Sequence, residues 1–453
     1  MNDTSDLPLW SEHRTRFLER LAKENACAIV FTAEPALRNG DAEHRFRPDS
    51  DFFYLTGFAE PEAALVLLPE GPERGGDPGP RTVLFLRDKD PEMEVWSGRR
   101  LGVEAAPETL GVDAALPFDE LWEHLPQVIK GYGRVVCATG QDEERDRELL
   151  NLLARMRRSA RGTIAPPVEL IDPAPWLHEQ RLFKTEREIA TMRHAASISR
   201  EAHLAAMRTT RPGLPEHEID ALLEYTFRRR GGTGAAYTNI VAGGANACIL
   251  HYVTNDMTLQ DGELLLIDAG CEYSCYASDV TRTFPVNGRF SPDQRELYEV
   301  VLDAQKACLE AVRPGSSLHA IHDLAVERLC QGLVRLGLLE GPVQKAIEER
   351  SYRRFYMHRT SHWLGLDVHD CGRASDESGP RALEPGMVLT VEPGLYVAPD
   401  DETVEARWRG IGIRIEDDVL VTEDGHEVLS ADIPKEVVEV EAACVDAEPV
   451  ASA

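Results

Sequence analysis

The chain lacks a long apolar run. Stretches such as "ELLLI" (263–267) are typical of its longest, far short of the ~20 residues a bilayer-spanning helix needs, so no transmembrane segment is expected. Pairable cysteines are also scarce. There are nine, an odd number scattered singly except for Cys271 and Cys275 in "CEYSC". The pair has C-x₃-C spacing and no CxxC accompanies it, so a zinc site is disfavoured and free thiols in a reducing compartment are expected. Positive charge is short as well: 49 bases stand against 78 acids, a net charge of −29. Such a surface repels phosphate backbones, which excludes nucleic acid as an expected partner. The first twenty residues, "MNDTSDLPLWSEHRTRFLER", are polar and mixed in charge, so no secretory signal is expected and a cytoplasmic location follows. HExxH is missing too: His358 and His362 have H-x₃-H spacing, but Arg359 follows where a glutamate is needed. "GGTGAA" (231–236) lacks a preceding strand and the third glycine of the G-x-G-x-x-G pattern, so it reads as a turn rather than a nucleotide loop.

What is present suits a globular protein of two or three domains: 453 residues, of which 43% are hydrophobic. "CAIVFTA", "AALVLLP", "TVLFLRD" and "RVVCATG" read as strands of an α/β amino-terminal domain, residues 1–174. "PEGPERGGDPGPR" (69–81) is an expected exposed loop, and the proline-rich "TIAPPVELIDPAPW" (163–176) an expected linker.

Residues 175–437 carry a weak internal repeat. A helix opened by the capping box Thr185/Glu188 stops at "RPG" (211–213), and a second helix follows. The order recurs with Ser291/Gln294 and a second "RPG" (313–315). Strands follow each helix pair. Two similar α+β halves facing across one sheet would leave a cleft at their pseudo-twofold axis. The end, 438–453, reads as a frayed acidic tail.

The repeat matters because acids recur in its strands. Asp268 ends "LLLID" and Asp279 lies in "YASDVTRTF", so a hairpin through "AGCEYS" would bring them side by side. Glu392 in "LTVEPG" and Glu416 in "IRIEDD" repeat the arrangement on the next pair. Like charges brought that close need protons or cations. His362 adds a nitrogen donor. The resulting charge of −4 is balanced by two divalent ions, and an oxygen-rich set with one imidazole favours Mn²⁺, with Zn²⁺, Co²⁺ and Fe²⁺ left open.

"IDAGCEYSCYASDVTRTFPVNGRF", "HRTSHWLGLDVHD", "GMVLTVEPGLYV" and "GIRIEDD" resemble the pita-bread metallopeptidases, and within them the Xaa-Pro aminopeptidases. "RNGDAEHRFRPDSDFFYLTGF" and "WSGRRLG" resemble that family's amino-terminal domain, so the likeness spans nearly the whole chain. The resemblance implies that Asp279 and Glu416 bridge two metals, Asp268 completes one, and His362 and Glu392 complete the other. It implies a hydroxide held between the ions as nucleophile, with Glu392 passing the proton to the leaving proline nitrogen. His251 and His369 then stand near the substrate carbonyl, and His358, Tyr396 and Arg414 around the proline ring. Asp367 and Asp370 receive no ligand role.

Asp41 and Trp96 are candidates for holding the peptide's amino group, should the amino-terminal domain reach over the cleft. The implied activity is release of the first residue from peptides with proline second, by a homodimer or homotetramer. The alternatives are a prolidase, which takes Xaa-Pro dipeptides with the same ligands, and a metal-free binding module of the same fold. One departure from the family stands out: Arg359 occupies a place where many relatives have a small residue.

Overall fold

The computed structural model describes residues 7–69, 81–159 and 165–445. They fall in two compact units, Met1–Arg181 and Leu182–Ala453. Among the described residues no helix is long and apolar enough to cross a membrane. Most of the expected loop, residues 70–80, lies outside the described residues.

The first unit is built on a six-stranded mixed sheet. Its order is Ala114–Pro117, Thr82–Leu86, Ala64–Leu67, Ala26–Phe31, Arg134–Val136, Glu169–Ile171. The two central strands, Ala64–Leu67 and Ala26–Phe31, are unbroken apolar runs because both faces are covered. Cys27, Ile29, Val66, Val83 and Phe85 pack with Leu121, Leu125, Leu149 and Leu152 of two helices. The helices Leu7–Lys23 and Ser50–Thr56 also contact the central strands. Helix Ser50–Thr56 is capped by Asp49, which accepts from the Phe52 amide, and ends at Gly57 with φ +64°. A Cβ at Gly57 would lie 2.0 Å from the Trp10 ring, so only glycine fits that turn.

The expected linker needs correcting. Glu169–Ile171 is an edge strand, paired in parallel with Arg134–Val136, and Ala174–His178 is helical. Pro166, Pro167 and Pro173 flank the strand and leave its ladder amides free to bond, and Pro175 sits in the first turn of the helical segment, where no amide is needed.

In the second unit the two helix pairs appear with their caps. Thr185 and Glu188 form a capping box at helix Glu186–Thr209, and Ser291 and Gln294 another at Pro292–Ala311. The partners are Glu216–Arg229 and Leu318–Arg335.

Each pair is followed by an antiparallel ladder. Leu264–Asp268 runs against Thr281–Pro285, with Asp268 opposite Thr281. Val388–Val391 runs against Asp417–Thr422, with Val391 opposite Asp417. The two ladders belong to separate three-stranded sheets, not the single sheet expected.

Nor does a tight hairpin join Asp268 to Asp279. Between the ladder strands the chain makes a small ribbon, Cys271–Tyr273 against Tyr276–Ala277, which pairs onward with Gly234–Ala235 and so satisfies its backbone. The matching excursion in the second half is Gly394–Tyr396 against Gly412–Arg414.

Arg282 ties the ladders together. Wholly buried, it donates to the carbonyls of Thr281, Glu416, Ile433 and Pro434 and pairs with Asp417 at 2.8 Å. Lys435 and Gln305 also donate to Asp417. Removing one partner of such a buried pair typically costs about 3–5 kcal/mol.

The tail also needs correcting, since Val437–Val445 is a helix. Val437 and Val440 are buried in two adjoining clusters, Cys444 packs with Val440, and Glu441 accepts from Arg289 and the Phe290 amide. An i, i+3, i+7 apolar stripe runs through the acidic sequence and docks it. Residues 446–453 lie outside the described residues.

Candidate active site

The fold puts four acids where strands end. Asp268 is the last residue of its strand and Glu392 follows Val391 directly; Glu416 precedes the strand Asp417–Thr422, and Asp279 stands two residues before Thr281. Backbone contacts lock these positions. The Asp279 amide donates to both Asp418 oxygens at 3.1 Å, and the Glu416 amide donates to the Thr281 carbonyl. A Cβ at Gly270 would sit 1.7 Å from the Ser278 carbonyl oxygen. A glycine there lets the chain close behind Asp268.

The side chains converge. Donor atoms of Asp279, His362 and Glu416 lie within 4.8 Å of one another. His362 Nε2 is 3.4 Å from Asp279 and 3.6 Å from Glu392. Asp268 joins through Tyr237, whose hydroxyl reaches Asp268 at 2.6 Å and Asp279 at 2.5 Å. Arg414 donates to Asp268 at 2.5 Å. Thr281 donates to Glu416 at 2.7 Å.

The electrostatics are those of a site short of positive charge. Burial raises Asp268, with Arg414 opposing and Asp279 adding to the rise. Burial likewise carries Glu392 to about 7 against the pull of His362 and Arg414. Glu416 is driven well above the carboxylate range by burial and by Asp279. Burial opposes the charged form of His362, but Asp279 and Glu392 outweigh it and hold its pKa at about 9.

This donor set fits divalent cations, which replace the protons these acids would otherwise retain. His362 supplies a further sign of fit. Its Nδ1–H donates to the Trp363 carbonyl at 2.9 Å, which aims Nε2 at the acids, where a cation would take the place of the Nε2 proton.

The cluster opens into a cavity of about 530 Å³ whose wall includes Tyr237, His251, Asp268, Asp279, His358, His362, His369, Glu392 and Arg414. His369 lies edge-to-face on His362 with ring centroids 4.5 Å apart. Arg414 donates to the Tyr396 hydroxyl at 3.0 Å, and that hydroxyl lies 2.9 Å from His358 Nε2. His358 Nδ1 sits 2.8 Å from the Arg359 carbonyl. Burial and then Arg414 lower His358 to about 3, so it is neutral, with Nδ1–H donating and Nε2 accepting from Tyr396.

Asp370 lies apart from the donors, in an ion pair with Lys184 at 2.9 Å and with both side chains at 1% exposure. On the first unit, Asp41 occupies an exposed turn between Leu37–Asn39 and Ala42–Glu43. Trp96 is 85% exposed in the helix Pro91–Ser97.

Two residues escaped the sequence reading, Tyr237 and Thr281. Tyr237 stands in an irregular stretch with no charge to draw attention. Thr281 had a signal, since it lies two residues after Asp279 on a ladder strand and therefore faces the same side.

Two α+β halves holding a carboxylate–imidazole cluster at the base of a peptide-sized cavity define a metal-dependent hydrolase. The chain belongs to metallopeptidase family M24: that family's model matches residues 190–423, and the model for the aminopeptidase P N-terminal domain matches residues 10–137. The chain is 45% identical to the Xaa-Pro aminopeptidase of Escherichia coli K12 over 436 residues, 96% of this chain and 97% of that one. A solved structure of Pseudomonas aeruginosa aminopeptidase PepP superposes with a TM-score of 0.93 at 47% identity, covering 98% of both chains. E. coli aminopeptidase P with the inhibitor Pro-Leu superposes with a TM-score of 0.92 at 45% identity, covering 97% of this chain and 98% of that one. The fold is thus an aminopeptidase P amino-terminal domain followed by a pita-bread catalytic domain, and the family binds divalent metal.

Proposed function

We propose that the protein is an Xaa-Pro aminopeptidase that releases the first residue from peptides with proline at the second position. We assign it two divalent ions per chain, preferentially Mn²⁺, held by Asp268, Asp279, His362, Glu392 and Glu416. Bound there, the ions supply positive charge that acidifies water and polarises the scissile carbonyl.

The observation that carries the reading is one cavity whose wall brings Asp268, Asp279, His362 and Glu392 together with His251, His358 and His369. The work of the chain's own residues follows from their placement. A proline nitrogen has no hydrogen and must receive a proton to leave. Glu392 stands on the cavity wall 3.6 Å from His362 and is assigned that transfer. His251 and His369 are assigned to the carbonyl oxygen, where a donor aimed at developing negative charge accelerates the step. His358 is uncharged and presents an imidazole face, held by Tyr396 and Arg414, which suits an apolar proline ring. The protein is further assigned to the cytoplasm, consistent with its free cysteines, and to a homo-oligomer.

A peptide panel tests the activity. Xaa-Pro-Yaa peptides should lose their first residue, Xaa-Ala-Yaa peptides should remain intact, and Xaa-Pro dipeptides should turn over more slowly than the longer peptides. Fast dipeptide cleavage with little tripeptide cleavage would make the protein a prolidase instead.

A further inference from the structure

A second cavity, of about 380 Å³, opens beside the first and shares two wall residues with it, His358 and Arg359. Arg350 and Arg353 line it together with Arg359, and Asp323 is its sole acid. Arg354, beside Arg353, pairs with Asp401, and Arg407 pairs with Asp293 and Glu405. Among the described residues, Arg350, Arg353 and Arg359 have no ion-pair partner. Arg350 also holds φ +55°, a left-handed conformation that side-chain-bearing residues rarely adopt. The positive field reaches His322 on the same wall, which is held below the ordinary imidazole range by burial and then by Arg359.

We propose that this second cavity is a subsite for a carboxylate downstream of the proline, recognised by Arg353 and Arg359 with Arg350 behind them. The inference rests on the reading of the first cavity as the place of Xaa-Pro cleavage. With the proline ring against His358, the residues that follow it leave past Arg359 into the arginine-lined space. Two sources offer the same chemistry: the terminal carboxylate of a short peptide, and an acidic side chain in a longer one. Guanidinium forks suit either.

The test compares kcat/KM for three peptides sharing one Xaa-Pro start: a free-acid tripeptide, its C-terminal amide, and an amide with aspartate in third place. At low ionic strength either carboxylate should raise kcat/KM about tenfold over the neutral amide, and salt should shrink the difference. The free acid reports the terminal group and the aspartyl amide reports the side chain. Arg353→Gln and Arg359→Gly should each bring the ratio toward one, and Arg353→Glu should turn the preference toward a lysyl peptide. Both arginines are exposed, so thermal melts should stay unchanged.

Cleavage of all three peptides at equal kcat/KM overturns this inference alone. Failure to cleave any of them overturns the reading of the first cavity and this inference with it. If the substitutions change the assembly's mass but leave the ratio intact, the arginines serve a second copy of the chain, and the subsite is refuted.

Discussion

The two halves of the second unit follow one plan with different reach. In the first half both acids are aspartates; in the second both are glutamates. Each half has an acid at or just past the end of a ladder strand, a glycine two residues on, a small ribbon, and a second acid before the returning strand. Gly270 lies against the Ser278 carbonyl, and Gly394 would bring a Cβ within 2.8 Å of the Ile413 carbonyl.

The partners differ more than the plan. Acids of one half are held largely by groups of the other. Arg414 of the second half binds Asp268 of the first, and Asp418 accepts from the Asp279 amide. Thr281 of the first half donates to Glu416 of the second. Neither half is a site alone. The cluster exists only while the ladders stay in register, which Arg282 enforces through the carbonyls on both sides.

The sharpest way to break this interdependence is at Asp279, which contacts both halves. Asp279→Asn keeps the shape and removes the charge. Metal analysis should show most bound metal lost, and activity should fall by more than the roughly 10–100-fold typical of residues that only orient a ligand. His362→Ala should likewise lose metal and activity together.

His251→Ala and His369→Ala should behave differently: metal content and melting temperature stay, while kcat falls by about 10²–10³ and KM changes less. A purely structural histidine would instead lower the melting temperature and leave turnover per folded molecule intact.

Tyr237→Phe is a gentler cut, since it removes only the hydroxyl that joins Asp268 to Asp279. It should weaken metal binding or activity by about 10–100-fold, read by metal titration.

The smallest expected effect lies in the first unit, where charge serves stability rather than metal. His178 donates to Asp51 at 3.0 Å and Arg181 pairs with it at 2.7 Å. Burial would raise Asp51, but His178 and Arg181 lower it overall; burial would lower His178, but Asp51 raises it overall. The Asp51 contribution is therefore present above about pH 4 and lost as pH falls through its lowered folded value. The His178 contribution is full below about pH 6.5 and lost as pH rises through its raised folded value. Thermal melts against pH should show both losses, and His178→Ala should remove the alkaline one.

Much of this arrangement was legible in the sequence because acids are rare inside apolar strands. Asp268, Asp279, Glu392 and Glu416 stood out against "LLLI", "YAS", "LTV" and "IRI", and the capping boxes marked the repeat that related them. The ribbons were not legible. A stretch such as "AGCEYSCYA" carries the residues of one hairpin, and only its pairing with Gly234–Ala235 shows that it leaves the ladder. Tyr237 was hidden because a tyrosine signals hydrophobic burial as readily as a hydrogen bond. The final helix was masked by composition: its acids suggested a tail, whereas two valines and a cysteine spaced by helical turns decide where it lies.

The central claim is that both halves together build a divalent-metal site that drives cleavage before proline. The direct measurement is hydrolysis of an Xaa-Pro-Yaa peptide by chelator-stripped protein, before and after metal is restored, with metal per chain counted in the same samples. The account predicts no cleavage by the stripped protein and recovery with two ions per chain, best with Mn²⁺. Full activity in protein shown to be metal-free would contradict it.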